Sequence, residues 1–245
     1  MSTITAPSAS SRITAIAGQE LKIIVRNKTV LAGAVVMPFL FAGFVAFAGP
    51  GKEAPAFTLG LTTLMVVMLA VYVTVVTTFA TRRQELFLKR LRSGESSDSI
   101  ILAGMTAPVA ALTLAQLLVV FIVVFATGFG LPPNPWPVVV GVVLIIVSST
   151  AFGILTSIYT PSASAAQFTT LPYFMLVMGT FVWPLFATDP ALQTLQALTP
   201  GGAMYQLFQA GWGGEVGLLP FISLIGLWTY LPLHYAMKNF TWDKR

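Results

Sequence analysis

The sequence predicts an all-α membrane protein: six transmembrane helices, an N-terminal interfacial helix and an outer re-entrant helical hairpin. Three observations carry that expectation. Only 9% of the 245 residues are Asp, Glu, Lys or Arg, whereas 56% are hydrophobic and the mean hydropathy is +0.84. An ordinary soluble domain is about 25% charged, so polar side chains are too few to cover a body of this size and lipid must do part of the covering. Six stretches reach the roughly 17 to 25 apolar residues that cross a bilayer as a helix, and none of them carries Asp, Glu, Lys or Arg. Finally, the 13 basic residues are sorted along the chain between these stretches rather than spread evenly.

The spans fall at about residues 30–48, 57–79, 103–127, 138–159, 165–186 and 216–237. Strands of a β-barrel would alternate polar and apolar residues over about 10 positions; the run at 117–126 is apolar on every side, so helices are expected. Arg12, Lys22, Arg26 and Lys28 precede the first span, Arg82, Arg83, Lys89, Arg90 and Arg92 separate the second from the third, and Lys238, Lys244 and Arg245 follow the sixth. Lys52 alone lies on the other side. Basic residues in short loops stay cytoplasmic, which predicts both termini inside. The net charge of +5 is thereby explained by topology, and nucleic acid is not an expected partner. Membrane lipids are.

Before the first span, residues 1–10 read as a disordered tail and 11–245 as a single transmembrane domain. Over 11–27, Ile13, Ile16, Ala17, Leu21 and Ile24 share one helical face opposite Arg12, Lys22 and Arg26, the pattern of a helix lying in the membrane surface. Glu20 interrupts the apolar face, where a carboxylate needs a cationic partner or a hydrogen bond.

Residues 81–104 form the long cytoplasmic loop. Glu85 and Lys89 are spaced as an i, i+4 pair in the favoured order, and Phe87, Leu88 and Leu91 place an apolar edge on a basic helix. Topology alone requires no such edge, which points to a docking surface for another protein. Ser97 or Asp98 is placed to cap the helix that follows. On the outer side, residues 187–215 carry no basic residue. Asp189-Pro190 is an N-cap followed by proline at the first helical position, with Leu192, Leu195 and Leu198 beyond it. Residues 199–202, Thr-Pro-Gly-Gly, break that helix, and a second short one covers 203–210. Both are too short to span and too apolar for open water, so they are expected to dip into the outer leaflet.

Catalytic chemistry has little to work with. Without cysteine, disulfides, thiolate metal sites and cysteine nucleophiles are excluded. His234, the single histidine, sits near the inner end of the sixth span, where a snorkelling interfacial role is expected. The nearest approach to a phosphate-binding loop, Gly49-Pro50-Gly51-Lys52, has Ala46 where its first glycine should be and Glu53 where Ser or Thr should hold Mg²⁺.

Three stretches together resemble the membrane subunits of ABC-2 type transporters. Residues 20–38, with Arg26-Asn27-Lys28 and Pro38 inside the first span, look like that family's start. Residues 82–104, RRQELFLKRLRSGESSDSIILAG, are similar to its loop between helices two and three, and Gly179-Thr180-Phe181-Val182-Trp183-Pro184 with Pro190 and Pro200 resembles its fifth helix and outer hairpin. The resemblance implies a non-catalytic permease in the bacterial cytoplasmic membrane, energised by two copies of a separate ABC ATP-binding subunit that carries the ATP and Mg²⁺. This chain would hold no cofactor of its own. A second permease, identical or paralogous, completes the path. Arg83, Glu85, Phe87, Leu88, Lys89 and Leu91 would couple to the ATPase. Helices two and five would flank the path with Thr62, Thr63, Tyr72, Thr74, Thr77, Thr170, Tyr173, Phe174, Met178 and Phe181. The alternative is an ion-coupled secondary multidrug transporter, but such proteins carry ionisable residues in their spans, and these have only His234 at an edge. With no fixed charge in the spans, the expected cargo is a hydrophobic or amphipathic molecule such as a drug, antibiotic or lipid, exported by the permease.

Overall fold

The computed structural model describes residues 9–26, 40, 43, 54–85, 97–186, 189–214 and 217–240. The expected first span at 30–48 lies outside them but for residues 40 and 43, as do residues 1–8 and 86–96, which include Phe87, Leu88, Lys89 and Leu91.

Among the described residues the protein is built of helices, without strands. Helix α1, Ala9–Arg26, begins two residues before its expected start. Five helices are long and apolar enough to cross a membrane: α2 (Pro55–Gln84), α3 (Asp98–Ala126), α4 (Trp136–Ile158), α5 (Ala166–Leu185) and α8 (Leu218–Asn239). Each matches a predicted span, and the end shifts have local causes. α2 continues past 79 because its last turn, with Arg82 and Arg83, leaves the apolar zone without meeting a breaker. α3 begins at Asp98, after Ser97 in the N-cap position. No side-chain cap bond forms there; the Ser97 hydroxyl meets that of Ser99 at 3.1 Å instead. Prolines 55, 137, 190 and 200 stand in the first turns of their helices, and Pro172 stands where α5 restarts at Leu171 after a break at Thr170; in each place a missing N–H costs nothing.

Between α5 and α8 lie two short helices, α6 (Pro190–Ala197) and α7 (Pro200–Gly211). Asp189 caps α6 as expected, its Oδ1 accepting from the Ala191 amide at 2.8 Å. Thr199 caps α7 in the same way, accepting from the Gly202 amide at 3.1 Å, so the Thr-Pro-Gly-Gly break also starts the next helix. The two helices differ in surroundings. Leu192 and Leu195 of α6 and Leu198 just past it are exposed, whereas α7 packs against α2, α4, α5 and α8 and buries Met204, Leu207 and Phe208. The apolar character of α7 is therefore spent on contacts within the chain.

α4 lies at the centre, in contact with α2, α7 and α8, while α1 crosses α3. Glycine makes one of these approaches possible: a Cβ on Gly153 of α4 would stand 2.8 Å from Val75 Cγ1 of α2. The other faces of the bundle carry exposed Leu118 and Ile122 on α3 and Leu219, Leu227 and Leu231 on α8, the surface of a protein covered by lipid. α2 is the most enclosed of the five long helices and α8 the least.

Candidate functional site

A cluster of aromatic rings and hydroxyls sits inside the bundle, where α2, α4, α5 and α8 converge. It begins with a widened turn. Residues Met68–Val73 of α2 are π-helical, a geometry that occurs mostly as a single-turn bulge. The Thr74 hydroxyl donates to the Leu69 carbonyl, five residues back, at 3.2 Å. Tyr72, in this turn, is fully buried and its hydroxyl meets that of Thr156 at 3.1 Å. Tyr173 of α5 lies edge-on to Tyr72 with centroids 5.0 Å apart, and its other side stacks on Phe152 of α4 at 3.8 Å and 12°. The Tyr173 hydroxyl reaches Ser148 at 3.4 Å, and the Ser149 hydroxyl donates to Met68 Sδ at 3.7 Å. Trp228 of α8 stands 6.1 Å from Phe152, and its indole N–H donates to the Leu198 carbonyl between α6 and α7 at 3.0 Å. Each tyrosine supplies a large apolar body and a polar tip. Each tip finds a partner, as burial in an apolar interior requires.

The sequence-predicted path residues divide accordingly. Tyr72 and Tyr173 come together in this cluster. Thr63, Met178 and Phe181 are buried elsewhere along α2 and α5, with Phe181 stacked on Phe57 at 5.4 Å and edge-on to Tyr205 of α7 at 5.8 Å. Thr62, Thr63, Thr77 and Thr170 donate to carbonyls of their own helices at 2.7 to 2.9 Å. Phe174 and Thr74 are half-buried. Sequence reasoning missed Ser148, Ser149, Phe152, Thr156 and Trp228. The available signal was Ser148-Ser149-Thr150, three consecutive hydroxyls in the middle of a Val- and Ile-rich helix.

A second constellation lies where α2 ends. Three consecutive side chains there hold three different parts of the protein. Arg82 Nη2 donates to both oxygens of Glu20 on α1, at 2.9 and 3.1 Å, and its Nη1 donates to Glu85 at 3.3 Å. Arg83 is buried; its Nη1 donates to the Ser157 carbonyl in the last turn of α4 at 3.0 Å, and its guanidinium lies 5.6 Å from the ring centroid of Phe240, just past α8. A cation suits a helix C-terminus, where unpaired carbonyls concentrate negative charge. Gln84 then donates to the Pro161 carbonyl between α4 and α5 at 3.2 Å. The carboxylate that the sequence left in need of a cation, Glu20, thus has one. Glu85 was expected to pair with Lys89, which is outside the described residues; its described partner is Arg82.

The described basic residues thus gather where α1 and the ends of α2 and α8 meet, while the buried hydroxyls of the bundle bond one another or carbonyls of their own helices. Among the described residues no group of three or more His, Asp or Glu side chains could hold a metal. The family model described as ABC-2 type transporter matches residues 11–211, from α1 to the end of α7. The chain belongs to the ABC-2 type transporter family. It is a multi-pass membrane protein, and ABC-2 permeases of this kind are generally non-catalytic and normally work with an ATP-binding subunit. No curated protein matches the chain. The ABC-2 match includes both constellations except for Trp228 and Phe240, which belong to the part beyond residue 211.

Proposed function

We infer that this chain is the permease of an ATP-driven exporter that moves hydrophobic or amphipathic molecules, such as a drug, an antibiotic or a lipid, out of a bacterial cell. Two copies of an ATP-binding subunit supply the energy, and a second permease, identical or paralogous, completes the path. One observation carries the reading: the family match runs along the chain while the predicted spans contain no Asp, Glu, Lys or Arg. A hydrophilic ion entering such a path would lose its water without compensation, and a proton or sodium route would lack its relay. Apolar cargo needs neither. Met and aromatic surfaces, such as Phe174, Met178 and Phe181 of α5, accept varied shapes.

Energy enters through the segment after α2. Arg83 and Glu85 anchor it at its start, and Phe87, Leu88, Lys89 and Leu91 meet the ATP-binding subunit. The experiment is to purify the complex with its ATP-binding subunit, reconstitute it in vesicles and measure which compounds stimulate ATP hydrolysis. Stimulation by apolar or amphipathic compounds, with the response altered in Tyr173→Ala or Phe181→Ala while insertion and assembly stay normal, is the expected result. Transport driven by an ion gradient without ATP would establish the secondary-transporter reading in its place.

A further inference from the structure

Helix α1 touches the chain on both sides of residues 86–96. On the incoming side, Glu20 is 5% exposed and takes Arg82 of α2 through both carboxylate oxygens. On the outgoing side, α1 lies on the first turns of α3 at a glycine: a Cβ on Gly104 would stand 2.8 Å from Ile16 Cβ and 3.4 Å from the Ile13 carbonyl oxygen. Ile16 and Glu20 are four residues apart, so they lie on the same face of α1, one turn from each other. One face of one helix therefore fixes both stems.

The two contacts differ in kind. The glycine contact is a matter of shape, with no polar group to hold it. The carboxylate is nearly enclosed, so it has direction and is expensive to leave without its cation. Arg82 is shared as well: its second nitrogen holds Glu85, the last described residue before the segment.

We propose that Glu20 is a positioning residue for energy coupling: through Arg82 it clamps α1 across both stems of the 86–96 segment, so that α1 and the two stems move as one rigid piece. The proposal rests on the reading of this segment as the meeting place with the ATP-binding subunit. Glu20 itself touches neither cargo nor nucleotide. In a complex without the clamp, ATP is still hydrolysed, but movement of the segment is no longer passed to α1 and less cargo moves per ATP.

The test has two arms, and the first is independent of ATP. The full chain is placed in lipid nanodiscs and amide hydrogen exchange is followed for wild type, Glu20→Gln, Arg82→Gln and the charge exchange Glu20→Arg with Arg82→Glu. Faster exchange by about tenfold at 82–85 and also at 98–104 is expected in each single variant, with protection at 98–104 regained in the double variant. Unchanged exchange at 98–104 in the single variants, or a double variant as loose as either single one, overturns the clamp. In the second arm the same variants are reconstituted with the ATP-binding subunit, and cargo moved per ATP hydrolysed is measured. A severalfold lower ratio in Glu20→Gln, with hydrolysis retained and the ratio recovered in the double variant, is expected. A wild-type ratio in Glu20→Gln overturns the coupling role. If the wild-type chain shows no ATP-dependent transport, the reading of the protein as an ATP-driven permease has failed, and the first arm still decides whether the clamp exists.

Discussion

Tyr173 shows how much a single residue contributes in an interior where almost every neighbour is apolar. Its ring is held between Phe152 and Tyr72, while its hydroxyl makes a long, 3.4 Å approach to Ser148. Packing should therefore outweigh the hydrogen bond. Truncating a large buried aromatic to alanine costs about 3 to 5 kcal/mol, whereas losing a long, neutral hydrogen bond costs about 1 kcal/mol or less. Tyr173→Ala is expected to lower the thermal unfolding midpoint in detergent by several degrees and Tyr173→Phe to leave it nearly unchanged; equal losses would show that the hydroxyl matters more than the stack. Residue types at this scale were legible in the sequence only where chemistry forced a pairing. Glu20, a carboxylate on an apolar face, announced its need of a cation, but 62 residues separate it from Arg82 and no local rule selects that arginine. The tyrosine cluster was half legible: Tyr72 and Tyr173 stood out by type, whereas Phe152 and Trp228 look like any aromatic in a span.

At the scale of elements, the long helices were plain because length and hydropathy suffice to specify a crossing, and the five described ones fall where expected. Their relative placement was not plain. Low amphipathicity is the reason, since a helix that is apolar all round does not record which side faces protein and which faces lipid. α7 illustrates the gap. Its composition suggested a helix dipping into the leaflet but not that it packs against α2, α4, α5 and α8. The packing depends on its first turn, where a Cβ on Gly201 would run into the Val177 carbonyl and one on Gly202 into the Gln196 carbonyl. Backbone atoms cannot swing aside as side chains do. Gly201→Val is accordingly expected to destabilise by more than the usual 1 to 3 kcal/mol of an overpacked core, read as reduced yield of folded protein and a lower unfolding midpoint. Gly179→Val, on the neighbouring α5 with open space around the added atoms, should leave both intact. The docking segment calls for a different experiment. Leu88→Asp and Leu91→Asp should abolish transport and capture of the ATP-binding subunit while membrane insertion is normal, because an unpaired carboxylate at a docking edge costs several kcal/mol; normal transport by both variants would remove the segment from coupling.

For the whole molecule, the ends of the bundle can be told apart by chemistry. Arg12, Arg26, Arg82, Arg83 and Lys238 lie on α1 and at the ends of α2 and α8, and contacts of Glu20, Ser157, Pro161 and Phe240 draw these elements together. The other end holds the start of α2, the α6–α7 pair and the start of α4, tied by the Asn134 amide donating to the Gly211 carbonyl at 3.1 Å. No basic residue is found on α6 or α7. A charge difference of this kind sets orientation during insertion, since arginine and lysine are retained on the cytoplasmic side. The chain has no cysteine, so a single introduced thiol reports its own side without background. Ser97, exposed just before α3 at the arginine end, and Gln193, exposed on α6 at the opposite end, are the informative positions. In intact cells Ser97→Cys should be protected from a membrane-impermeant maleimide and become reactive only after the membrane is opened, whereas Gln193→Cys should react at once. Because α3, α4 and α5 separate the two positions, an odd number of crossings must place them on opposite sides. Labelling of both thiols in intact cells would break that count, and labelling of Ser97→Cys alone would keep the bundle but turn it over, against its charge.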